Sequence, residues 1–258
     1  MAKALAWAKG LGYDLVEMDG DDLPRPEEAR RLLADAGLGV SSVYAMFDWN
    51  HRPEDLRDGR LLDTAEALGS PFVMPIPGLY SPEAMRDPAL YARETEGFLS
   101  GMARMDAAAA ARGLTVTMED YDNARSPIAT IGGMQRFLDA VPRLTVALDT
   151  GNFLFSGEDV LDARAAFRGR IAHAHLKDRL LKRPGGMPEE NGLKAPTGET
   201  LWACAVGEGV IPIRETVRLL AADGYAGALT AEFFGAKDWA ETIRRSAEHI
   251  REWTVKSA

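Results

Sequence analysis

Ile171-Ala-His-Ala-His-Leu-Lys-Asp178 alternates as a β-strand does. Ile171, Ala172, Ala174 and Leu176 are apolar, and His173 and His175 point to one common side. The run ends in Lys177-Asp178, where a strand would meet a loop. Two of the chain's four histidines sit here. A strand's end is a poor place for bulk packing and a good place for chemistry. Working outward, two more strand-like runs close on an acid: Leu144-Thr-Val-Ala-Leu-Asp149 and Leu229-Thr-Ala-Glu232. Leu114-Thr-Val-Thr-Met-Glu119 adds another. The constellation is Glu119, Asp149, His175 and Glu232.

Between these runs lie helical periodicities. Apolar stripes predict helices over 2–11, 26–36, 54–68, 88–112, 132–141, 158–168, 212–223 and 238–254. The last of these carries Trp239, Ile243, Ile250 and Trp253. Strand-like runs over 14–19, 39–47 and 72–77 precede the Glu119 strand. The alternation is β then α throughout, which means a parallel sheet covered by helices. Seven strands are counted from Asp14 onward. A closed (β/α)8 TIM barrel needs eight and about 250 residues. The expectation is a single domain over 1–258: a (β/α)8 TIM barrel lacking the first strand at the N-terminus. Residues 179–206 read as a long irregular loop, punctuated by Pro184-Gly-Gly and Pro196-Thr-Gly. A loop of that length is expected to serve function, here as a cover over the active-site face.

The composition is that of an ordinary soluble globular chain. A net charge of −9 argues against nucleic acid as a partner. One cysteine, Cys204, excludes an intrachain disulfide and makes a cytoplasmic location the expectation. The alanine-rich start is too short for a signal or a membrane span, so no membrane partner is expected.

Strand C-termini of a barrel open onto one face, so the four strand-end residues would converge there. Two glutamates, an aspartate and a histidine suit a divalent cation: manganese foremost, with magnesium, zinc or cobalt also fitting. Three carboxylates would repel one another without it. Other polar residues have plainer readings. Asp120 and Asp122 are expected to be solvated, His51 and His249 to lie on the surface, and Glu208 of the Gly207-Glu-Gly209 turn to face outward. His173 reads equally as a core histidine.

Leu148-Asp-Thr-Gly-Asn152, His173-Ala-His-Leu-Lys-Asp178, Val206-Gly-Glu-Gly-Val210 and Gly224-Tyr-Ala-Gly-Ala-Leu-Thr-Ala-Glu232 resemble the sugar phosphate isomerase/epimerase superfamily. This xylose-isomerase-like group also holds tagatose 3-epimerases, inosose dehydratases, hydroxypyruvate isomerases and endonuclease IV. The resemblance runs from Asp14 to the last helix. It puts the metal ligands on Glu119, Asp149, His175 and Glu232. It implies substrate contacts from Asn152, Lys177, Arg179 and His173. Many members have histidine where this chain has Asn152, and asparagine cannot shuttle a proton near neutral pH. The endonuclease branch resembles a histidine-rich multi-zinc site, which this chain's four histidines do not supply.

What the resemblance implies is a metal-dependent isomerase or epimerase acting on a small carbohydrate. Glu119 and Glu232 would move a proton through a metal-stabilised enediolate. The same intermediate can expel a β-hydroxyl, so a dehydratase or lyase on a keto-cyclitol or keto-sugar conjugate is the alternative. A homo-oligomer is compatible with the sequence, and so is a subunit active only with a partner.

Overall fold

The computed structural model describes residues 1–23 and 25–255. The chain divides into two compact units, with the division falling inside one strand.

The first unit runs from Met1 to Glu119 and takes in 125–128 and 132–146. It opens on α1 (Ala2–Gly10) and continues through β1 (Leu15–Asp19), α2 (Pro26–Ala36), β2 (Gly39–Met46), α3 (Arg60–Leu68), β3 (Phe72–Ile76), α4 (Pro88–Ala110) and β4 (Thr115–Glu119). Most of α5 (Ile131–Ala140) and the start of β5 (Thr145–Asp149) belong to it too. The strands pair in parallel in the order β1-β2-β3-β4, with registers Leu15↔Gly39, Val43↔Val73 and Phe72↔Thr115. The helices begin and end where side-chain chemistry directs. Pro26 and two glutamates open α2, and Gly37 closes it in the left-handed region. Asp87 caps α4 by accepting the N–H groups of Ala89 and Leu90. Phe98, Met102, Met105 and Ala109 form the fully buried stripe of α4, at the spacing a helix needs to keep one face inward.

The expected helix over 54–68 begins only at Arg60. Arg57, Asp58 and Gly59 all have positive φ, so a right-handed helix cannot pass through them.

The second unit comprises 120–124, 129–131 and Ala147 onward. After the end of β5 come α6 (Val160–Ala166), β6 (Ile171–Leu176), β7 (Asp178–Leu180), β8 (Leu193–Lys194), β9 (Thr200–Cys204), α7 (Ile213–Ala222), β10 (Leu229–Ala231) and α8 (Trp239–Val255). The order of the sheet strands is β5-β6-β10, and β6 pairs with β10 in parallel at Leu229↔Ala174. With β1 to β4 these make the seven sheet strands counted from the sequence. Leu176, Val206 and Ile213 form a buried cluster, with Leu229, Ile250 and Trp253 packed on it.

One expectation changes here. The stretch 179–206 is not wholly irregular. β7, β9 and β8 form a three-stranded antiparallel sheet, with Asp178↔Cys204 and Leu193↔Leu201 in register. Pro196-Thr-Gly198 makes the turn from β8 to β9, and Pro184-Gly-Gly186 lies in the longer connection from β7 to β8. Leu201 is fully buried against Phe155 and Ala195, which gives the hairpin a core of its own. Trp239, at the start of α8, is 60% exposed and does not join the inward face of that helix.

Candidate metal centre

β6 places His173, His175 and Lys177 on one side by simple alternation. His175 is fully buried, and the buried Lys177 follows the last residue of the strand. β5 delivers Asp149 at its end, fully buried. Glu232 directly follows β10 and is held in line because its N–H donates to the Leu176 carbonyl, 3.1 Å away.

One atom of each of Asp149, His175 and Glu232 lies within 4.8 Å of the others. Each carboxylate is oriented by specific contacts. Asp149 Oδ1 accepts the N–H groups of Gly151 (2.7 Å) and Asn152 (2.8 Å), closing a tight turn after β5. That leaves Oδ2 aimed at Lys177 Nζ, 3.1 Å away. Glu232 Oε1 lies 3.2 Å from the same Nζ, and Oε2 lies 3.0 Å from His175 Nδ1. Asp149 Oδ2 and Glu232 Oε2 are buried, yet among the described residues no hydrogen-bond donor is aligned on either. Two carboxylate oxygens with lone pairs to spare, converging with an imidazole, are a donor set that fits a divalent cation.

The electrostatics follow from burial and from Lys177. Burial pushes the Asp149 carboxyl up, against the pull of the Lys177 ammonium. Burial opposes ionisation of Glu232 as well, but Lys177 and His175 together hold it well below the usual carboxylate range. Glu232 is therefore ionised near neutral pH.

The surrounding shell is polar and closed. Lys177 Nζ donates to Asn152 Oδ1 (2.9 Å), and Asn152 Nδ2 donates to the Asp120 carbonyl (2.8 Å). Thr150 ties β5 to β6: its N–H donates to the His175 carbonyl at 2.9 Å, and its hydroxyl bridges the Lys177 N–H and carbonyl at 2.8 and 2.9 Å. His173 is fully buried, edge-on to the His175 ring at 4.9 Å, with Nε2 3.3 Å from Thr230 Oγ1. Arg179 is buried and pairs with Asp122 at 2.8 Å.

Several plainer expectations are corrected. Asp120 is fully buried, not solvated, because its backbone is anchored by Asn152. Asp122 is partly buried in its ion pair with Arg179. His249 is half-buried: its Nδ1 lies 2.6 Å from the Val206 carbonyl, and its ring stacks on Trp253. Lys177, expected to contact substrate, lies buried among the acids. His51 is exposed, as read. Glu208 is exposed and pairs with Arg245, while the turn carrying it wraps Asp178. Glu119 closes β4 in the first unit and is buried.

Thr150 and Asp178 belong to the site in roles that no motif in the sequence points to. Asp178 is buried and accepts the N–H groups of Arg179, Gly207 and Gly209 at 2.9 Å and of Ile211 at 3.2 Å. Burial raises its pKa, and those four donors oppose the rise. It fastens the end of β6 to the loop before α7. The signal in the sequence was the pair of glycines at 207 and 209, which let that backbone approach a carboxylate closely.

Among the described residues no helix is long and apolar enough to cross a membrane. Comparison with known proteins gives the site its context. An inosose isomerase from Halalkalibacterium halodurans is 21% identical over 271 residues, covering 99% of this chain and 90% of that protein. An inosose dehydratase from Geobacillus thermodenitrificans is 27% identical over 149 residues. That match takes in 57% of this chain and about half (49%) of the dehydratase. A crystal structure of a xylose isomerase-like TIM barrel protein from Mycobacterium smegmatis, in complex with magnesium, superposes with a TM-score of 0.70 at 21% identity. It covers 98% of this chain and 87% of that one. The family model described as xylose isomerase-like TIM barrel matches residues 5–253, so this chain belongs to that family.

Proposed function

We propose that the protein is a metal-dependent isomerase or epimerase of a small sugar-like ketone. The observation that carries this is the convergence of Asp149, His175 and Glu232, one ligand atom of each lying within 4.8 Å of the others. Glu119, which closes β4 as Asp149 closes β5, is proposed as the fourth ligand. When bound, the cation supplies Lewis-acid polarisation of a carbonyl oxygen. Manganese is the proposed ion.

Glu232 is already ionised, so its carboxylate is in the form that accepts a proton. It takes the proton from the carbon beside the carbonyl, and that C–H electron pair moves into an enediolate. Glu119, entering the step as the carboxylic acid, gives its proton to the other face for epimerisation or to the neighbouring carbon for isomerisation and is left as the carboxylate, while Glu232 releases the proton it took to solvent. Lys177 offers its ammonium to a substrate oxygen. Asn152, Arg179 and His173 hold their neighbours in place, and Asn152 takes no proton. The β7–β9 hairpin is proposed to cover the site and keep water from it.

The match to an inosose dehydratase favours one second reading: the enediolate loses a β-hydroxyl instead of regaining a proton, which makes the reaction a dehydration. The test for both is Glu232→Gln. Exchange of the substrate's α-proton with solvent and turnover should both disappear, while substrate binding largely survives. Persistence of proton exchange in that variant refutes the assignment.

A further inference from the structure

Asp149, Thr150, Gly151 and Asn152, consecutive in the turn that leaves β5, receive one lysine from end to end. The Thr150 hydroxyl, on a side chain buried to 1% exposure, accepts the Lys177 N–H at 2.8 Å and donates to the Lys177 carbonyl at 2.9 Å. One oxygen thus engages both polar groups of that backbone. Gly151 comes next, and its bare Cα lets the lysine approach. A Cβ there would stand 2.7 Å from the Lys177 carbonyl oxygen and 3.0 Å from its Cγ. Asn152 Oδ1 then takes the ammonium at 2.9 Å. Asp149, just ahead of these three, faces the same ammonium at 3.1 Å.

This cradle removes the freedom a lysine ordinarily has. On a surface, the flexible four-carbon stem absorbs a shift of the backbone. Lys177 is buried and its stem lies against Gly151, so a backbone shift is passed on to Nζ. Lys177 also lies one residue past the end of β6, beyond the last pair with β10, Ala231↔Leu176. There the Thr150 hydroxyl takes the place of a strand partner on the β5 side. Threonine suits the task, because its β-branch restricts χ1 and so fixes where the hydroxyl points.

We propose that Thr150 is a positioning residue for Lys177: its hydroxyl fixes the ammonium beside Asp149 and Glu232, and so sets how tightly those carboxylates hold a divalent cation. The inference rests on the reading of Asp149, His175 and Glu232 as a metal site. An ammonium 3.1 and 3.2 Å from two ligand carboxylates repels an incoming cation and competes for the same oxygens. Held there, it weakens the grip on the ion; free to swing away, it does not. Affinity for the ion is then governed by a hydroxyl that is no ligand itself.

The test is a double-mutant cycle on manganese affinity, measured by calorimetry on chelator-treated protein. Lys177→Met removes the ammonium and should tighten manganese binding by at least about tenfold. Thr150→Val keeps the side chain's shape and the residue's N–H bond to the His175 carbonyl, and deletes the hydroxyl. Adding Lys177→Met to Thr150→Val should tighten binding by less than about threefold, because the ammonium is already loose. Thr150→Ser, which keeps the hydroxyl, should restore the full effect of Lys177→Met. A threonine with a merely structural role would leave that effect the same in every background. Equal effects of Lys177→Met with and without the hydroxyl overturn the proposal, as does a Thr150→Ser that behaves like Thr150→Val. If Thr150→Val does not fold, Thr150→Ala carries the same cycle. No manganese uptake by either wild type or Lys177→Met brings down the reading of the metal site instead, and this proposal with it.

Discussion

Lys177 Nζ sits 3.1 Å from Asp149 Oδ2, a buried ammonium against a fully buried carboxylate. Glu232 shares the same cation at 3.2 Å. Two carboxylates and one ammonium in a low-dielectric setting hold together only while all three are present. Lys177→Met keeps most of the side chain's volume and removes the charge. It should cost about 3–5 kcal/mol of stability in chelator-treated protein. Manganese should raise the melting temperature more in the variant than in wild type, since the ion then neutralises acids that nothing else does. Thermal melts with and without metal read this directly. Equal metal-induced shifts would show that the ion binds elsewhere.

Asp178 organises the loop before α7 through four backbone N–H groups. Asp178→Ala leaves those four donors, that of the buried Arg179 among them, without their acceptor. A loss of about 2–4 kcal/mol in denaturant unfolding is expected. Gly209→Ala should do comparable harm from the other side, because a Cβ there would collide with the Asp178 carboxylate and the Arg179 carbonyl. A Gly209→Ala protein as stable as wild type would show that this loop is not clamped.

Cys204 is buried at the end of β9, and burial pushes its thiol up to about 12. The folded protein should therefore resist thiol alkylation at pH 8 and become reactive only on unfolding. The sign of the linked stability follows. Above the ordinary thiol pKa the unfolded chain loses this proton while the folded chain keeps it. The contribution of Cys204 thus favours unfolding increasingly as pH rises towards 12. With one cysteine in the chain, a single labelling time course decides the matter.

The strand ends were legible in the sequence because a strand's period of two is strict. A strand that closes on Asp149, and one that carries His175 two residues after His173, leave little choice about where those side chains go. The same alternation carries on to Lys177, which is the signal that it belongs with the histidines. What the sequence concealed depends on partners far along the chain. Asp178 meets Gly207 and Gly209 about thirty residues later. Asp120 is drawn inward by Asn152, and His249 by Val206. The hairpin of β7, β8 and β9 escaped notice because its strands are two to five residues long, too short for a periodicity to declare itself. The helix over 54–68 was read too long because nothing local announces positive φ at Arg57 and Asp58.

The central claim is that Asp149, His175 and Glu232 hold a divalent ion. The direct measurement is metal content per chain after purification without chelator and loading with manganese. The account predicts about one tightly held ion in wild type. That ion should be lost in His175→Ala and in Asp149→Ala, with both variants still folded by circular dichroism. Folded variants that retain the ion, or a wild type that takes up none, would contradict it.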